Sequence, residues 1–147
     1  MERNNSLHIG LFLLRLGIGI MFIYHGFGKM FPADGDYIAR WEWIGSRMNL
    51  VGITFWPIFW GFMAALAEFG GGILLILGLF TRVSSVFLAF TMLIAMLHHL
   101  KAGDGLAGAS HALELMIVFI ALAIAGAGKL SFDNWWFNSR NKNQEEG

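Results

Sequence analysis

Apolar residues gather into four long stretches separated by short polar interruptions. A helix that spans a bilayer needs about 20 mostly apolar residues, within a range of about 17–25. The pattern predicts helix one over about residues 7–29, helix two over 57–80, helix three over 82–100 and helix four over 110–127. Pro57 falls in a first turn, where its missing N–H costs nothing, and Thr81 reads as the N-cap of helix three. The joints at 78–84 and 101–109 are short, so consecutive helices run antiparallel. The predicted fold is all-α, a transmembrane four-helix up-down bundle in one domain over residues 1–137. The polar tail over 138–147 is expected to be disordered.

Residues 31–56, between helices one and two, have a different pattern. Asp34, Asp36, Arg40, Glu42 and Arg47 alternate with Tyr37, Trp41, Trp43, Phe55 and Trp56. Ile38, Trp41, Ile44 (or Gly45) and Met48 recur near helical spacing, which predicts a short interfacial helix. It is read either as a lid over the bundle or as an anchor at headgroup depth, where Trp and Tyr concentrate. Trp135, Trp136 and Phe137 look like a second anchor.

Composition strengthens the membrane reading. Charged residues make up 14% and hydrophobic residues 56% of 147, with 14 Phe, 8 Met and 6 Trp. Soluble domains carry about a quarter charged residues. Mean hydropathy is +0.61. The main partner of such a surface is the lipid bilayer. A formal net charge of zero gives no bulk attraction for nucleic acid. The chain has no cysteine, which excludes disulfides, thiolate-held iron–sulfur clusters and CxxC chemistry. The opening has Arg3 and then an apolar run from Leu7, as a signal peptide would. The run continues, contains Arg15 and lacks a small-x-small exit, so it reads as a retained first helix. Arg3, Arg82, Lys129, Arg140 and Lys142 fall on the side of the termini, against Arg40, Arg47 and Lys101 opposite, with Lys29 at the border. The positive-inside rule then places both termini in the cytoplasm.

Ionisable residues inside spans carry the candidate chemistry. Arg or Asp at a helix centre costs about 2.5–3.5 kcal/mol on insertion scales. Arg15, Glu68 and Glu114 should therefore face inward and find partners, with Arg15 holding Glu68 charged. Arg15 shares a stripe with Gly19, Phe22, Gly26 and Lys29, and Glu68 shares one with Gly61, Ala64 and Gly72. Such small residues let helices approach closely. His25 and Lys29 close helix one, His98 and His99 close helix three, and His111 opens helix four with Glu114 one turn deeper. Helix alternation alone puts these groups in one half of the membrane. His8 reads as a solvated end residue and His99 as a bystander. Bland readings stand beside these: Lys29 snorkelling to headgroups, and Arg15, Glu68 and Glu114 as a structural charge network.

Three segments, LLRLGIGIMFIYHGFGKMF from Leu13, AEFGGGILLILGLFTR from Ala67 and GAGKLSFD from Gly126, resemble the DoxX family of small four-helix membrane proteins. The resemblance implies a bacterial inner-membrane location and a link to quinol or thiosulfate–quinone redox chemistry. It carries over Arg15, His25, Lys29, Glu68 and Arg82 as family-type positions. Arg82 is expected to be structural, against lipid phosphate.

Three functions follow from the residues and the resemblance together. In a quinone-linked redox subunit, His25, His98 or His111 donate to a quinone and relay protons. Glu114 then orients His111, and Glu68 extends the relay inward. Electrons would need a partner redox subunit or a bound cofactor. In a haem or metal protein, His25 and His98 on diagonal helices could be axial ligands, or His98, His111 and Glu114 a metal site. In a non-enzymatic assembly protein or carrier of a small hydrophobic solute, the bundle binds a partner complex or works as a homodimer.

Overall fold

The computed structural model describes residues 2–136, with side chains described from Asn5 onward. The predicted tail over 138–147, the Phe137 anchor, the Arg3 side chain, Arg140 and Lys142 lie outside that range. The elements are α1 (Glu2–Met30), α2 (Tyr37–Gly45), a 3-10 turn (Ser46–Val51), α3 (Pro57–Leu77), α4 (Thr81–Ala102) and α5 (Gly105–Ala125). Among the described residues there is no strand. The predicted helices one to four are α1, α3, α4 and α5, each long and apolar enough to cross a membrane.

The boundaries differ where capping or the membrane overrides local preference. α5 starts at Gly105, inside the glycine-rich run read as a joint. Glycine disfavours helix in water, but in lipid an open backbone group has no water to bond, so helix extends. Thr81 is not the N-cap of α4. Phe80 takes that place with φ 49°, and its N–H and that of Thr81 donate to the Asp133 carboxylate at 2.8 and 3.1 Å. The cap comes from a residue distant in sequence, which no local pattern could show.

Glycines set how closely the helices pack. A Cβ on Gly26 would lie 2.3 Å from the Phe69 nitrogen, and one on Gly72 would lie 2.8 Å from the Gly19 oxygen. α1 and α3 therefore touch backbone to backbone along the two predicted stripes. α2 crosses α3 in the same way: a Cβ on Gly61 would lie 1.8 Å from the Trp41 oxygen, and one on Gly45 would lie 1.7 Å from the Pro57 oxygen. The Trp41 ring packs on Phe62 at 4.9 Å, and Met48 is buried. The 31–56 segment thus covers the start of α3 while Trp43, Phe55 and Trp56 stay exposed as an aromatic rim.

α4 and α5 form the other tight pair, and α3 and α4 are joined by the turn at Gly78. α1 meets α5 through Phe22 and Phe119, edge to face at 4.9 Å. The core gathers there, from Phe22, Leu75, Leu88, Met92, Phe119 and Leu122.

Candidate functional site

Glu68 is the most deeply placed carboxylate of the described residues, with 1% of its surface exposed. Lys29, at the last turn of α1, meets it with Nζ 2.5 and 2.6 Å from the two carboxylate oxygens. Lys29 therefore does not snorkel away. The turn is held from outside, because Trp41 Nε1 donates to the Lys29 carbonyl at 3.1 Å.

Arg15 is also fully buried but lies elsewhere. Its guanidinium donates to the Leu75 carbonyl at 3.2 Å and to the Leu130 carbonyl. The expected Arg15–Glu68 pair is corrected, since each has another partner at another depth. Arg15 instead clasps the α3–α4 turn to the chain after α5. Ser131 and Arg15 crowd the space beside Gly78, where a Cβ would lie 1.9 Å from Arg15 Nη1. Asp133 N–H donates to the Gly78 carbonyl at 3.0 Å. Arg82 is exposed, beside Gly126.

His25 and His111 come together. They line one groove between α1 and α5, with Gly17, Ile18, Met21, Phe22 and Leu115, and a volume of about 160 Å³. Both histidines are exposed, so the groove opens sideways, toward the surface that a bilayer would cover. Gly17 leaves it space, because a Cβ there would meet nothing within 4 Å.

His98 does not join them. It lines a second pocket, of about 310 Å³, between the 3-10 turn and the end of α4. A shared His25–His98 haem site is therefore corrected: the two imidazoles open into different cavities on diagonal helices. Among the described residues, no group of three His, Asp or Glu could hold a metal ion, so His98, His111 and Glu114 form no such site. His99 pairs with Asp104 at 2.7 Å in the α4–α5 turn.

Glu114 overturns the expectation that every ionisable residue turns inward. It is exposed, on the side of α5 away from buried Ala109, Ala112, Phe119 and Leu122. Ala109, Ala112, Phe119 and Leu122 take the buried face of α5, and this rotation of the helix leaves Glu114 outward.

The three motif segments are explained by this geometry. Arg15, the Gly78–Thr81 turn and the Leu130–Asp133 run meet in one clasp, while Lys29 and Glu68 meet in one ion pair. The DoxX family model matches residues 10–101. The chain belongs to the DoxX family. It is 30% identical to a Bacillus subtilis (strain 168) protein named "Putative oxidoreductase CatD", over 93% of this chain and 94% of the relative. It is 32% identical to the Escherichia coli (strain K12) "Inner membrane protein YqjF", over 85% of this chain and 90% of the relative. A second protein of that strain, "Inner membrane protein YphA", is 29% identical, over 84% and 87%. No solved structure matches the chain. Four apolar helices and relatives so named support a DoxX protein of the bacterial inner membrane.

Sequence reasoning did not single out Arg47, Lys101 or Asn49, which line the second pocket with His98. The available signal was Trp43 and Arg47 one turn apart, and Lys101 one turn after His98. Burial lowers the Arg47 guanidinium from its ordinary value. Arginine starts so high that it stays cationic at neutral pH.

Proposed function

We propose that the α1/α5 groove receives a membrane-borne quinone and that the protein serves quinone-linked redox as one subunit of a larger system. The supporting observation is the groove itself. Its walls are apolar, it opens sideways, and it carries two imidazoles, His25 and His111. A quinone ring needs an apolar slot and donors to its carbonyl oxygens. Each imidazole, when neutral, can donate one N–H and accept at its other nitrogen, so it can also pass on a proton. The quinone supplies the electron chemistry. The chain's own residues hold and orient the ring and move protons at the imidazole nitrogens. The name of the Bacillus relative includes the word oxidoreductase, which agrees with this reading.

Lys29 and Glu68 lie in the same half of the bundle and act as a positioning pair. Their ion pair fixes the last turn of α1, only one turn beyond His25.

Gly17→Leu tests the groove, because a Cβ at Gly17 meets nothing within 4 Å and Gly17 lines the groove. In equilibrium dialysis with a short-chain benzoquinone, this variant and the His25→Ala/His111→Ala variant should each bind at least tenfold more weakly than the parent chain. Unchanged binding in both rejects the groove.

A second reading is favoured by Glu114. A carboxylate on a lipid-facing surface costs about 2.5–3.5 kcal/mol when charged. A partner subunit, or a second copy forming a homodimer, would remove that cost by covering the outer face of α5. Cross-linking through a cysteine at Ile117, in a chain that has no other cysteine, should trap that neighbour. Its absence from native membranes would reject the contact.

A further inference from the structure

The pocket beside α4 has a chemistry unlike that of the α1/α5 groove. Its lining includes Arg47, Lys101, His98, Asn49 and Ser46, and none of its lining residues is a carboxylate. Its volume of about 310 Å³ lies at the small end for ligand sites, suited to a compact headgroup. Arg47 is pre-positioned. Its guanidinium carbon lies 3.5 Å from the Trp43 ring centroid, and Nη1 donates to the Trp43 carbonyl at 2.7 Å. A guanidinium has five N–H donors in a fixed fork, so most remain for a ligand. Stacking and partial burial reduce the competition from water. Lys101 and His98 lie one turn apart on α4 and supply two further donors on the other wall. Asp104, the acid in electrostatic reach of His98, has Oδ2 2.7 Å from His99 Nδ1.

Such a set of donors suits an oxyanion, phosphate among them. Location selects its source. The pocket sits where a spanning helix ends, beside exposed Trp43, and is flanked by exposed Val51 and Leu100. These offer acyl chains an apolar path away from the basic walls. Basic pockets between transmembrane helices are known binding places for anionic headgroups. We propose that Arg47, Lys101 and His98 bind a phosphate group in this pocket, and that its source is the headgroup of an anionic phospholipid.

Native mass spectrometry of the full chain from mixed micelles of phosphatidylglycerol and phosphatidylcholine tests this. The parent chain should retain phosphatidylglycerol at least tenfold over phosphatidylcholine. Arg47→Gln/Lys101→Gln should bring the ratio close to parity. Lys101→Gln alone, at an exposed position, should lower it about threefold and guards against a misfolded double variant. Arg40→Gln/Lys129→Gln removes the same charge elsewhere and should keep the preference. Added millimolar inorganic phosphate separates the sources. Retention despite it assigns the site to lipid, and displacement assigns it to free phosphate. No preference in the parent chain, with no phosphate bound, overturns the proposal. So does an equal loss in the Arg40/Lys129 control. Neither result bears on the groove, whose residues are separate.

Discussion

A carboxylate at the depth of Glu68 has no water to turn to, and Lys29 supplies the charge that keeps it there. Removing one member of a buried pair costs about 3–5 kcal/mol, whereas replacing both by apolar groups is often neutral. Lys29 keeps 36% of its side chain exposed, which argues for the lower end of that range. Lys29→Met should therefore lower thermal stability in detergent by about 3 kcal/mol. Lys29→Met/Glu68→Leu should recover most of the loss. A double variant no more stable than the single one would show that the pair does not hold the two helices. The sequence placed Arg15 and Glu68 inside the bundle correctly but joined them to each other. Periodicity tells which face of a helix is buried, not how far one helix slides along its neighbour. Matching the predicted ends of helices one and two sets Arg15 against Gly72. The observed contacts set it against Leu75 and Gly78, a slide of about one turn. That slide separates Arg15 from Glu68 and delivers Lys29 instead. Glu114 was misplaced for a related reason. The buried face of α5 includes small Ala109 and Ala112 along with Phe119 and Leu122, and two alanines give a weak signal beside a glutamate.

Helix pairs in a bilayer gain little from hydrophobic burial, so close backbone contact carries more of the packing. Here α2 depends on this. Its crossing over α3 is possible because Gly45 and Gly61 have no side chains. Gly61→Ala puts a methyl group into the Trp41 carbonyl, which is backbone and cannot rotate away. α2 must lift, at a cost of about 1–3 kcal/mol, the usual range for overpacking. Hydrogen exchange should then rise across residues 37–51 and remain unchanged in α5. Uniform protection in the variant would mean that α2 is held by its aromatic contacts instead. The amphipathic spacing of Ile38, Trp41 and Met48 was enough to predict this helix. It could not distinguish lid from anchor, because both use the same residues. In the structure Trp41 packs on Phe62 and Met48 is buried, while Ile38 of the same stripe is exposed together with Trp43 and Trp56.

The whole molecule has two dissimilar ends. One end has the turn at Gly78 clasped by Arg15 and Asp133, with His8 accepting from the Lys129 N–H at 3.3 Å. The other has the groove, the Lys29–Glu68 pair and the basic pocket. Orientation decides which end faces the cytoplasm, and the charges that count are those free to interact across the surface. Lys29 is engaged by Glu68, so it drops out of the comparison. Five basic residues remain on the side of the termini, Arg3, Arg82, Lys129, Arg140 and Lys142, against Arg40, Arg47 and Lys101. Arg40 is further offset by Asp34 at 3.5 Å, and Arg47 is drawn down onto Trp43. We propose from this balance that both termini are cytoplasmic, which would put the α1/α5 groove near the outer leaflet. A fluorescent-protein fusion at the C-terminus should be bright, and an alkaline phosphatase fusion at the same point should be inactive. The reverse pattern would put the groove near the inner leaflet, and protons exchanged at His25 and His111 would then come from the cytoplasmic side.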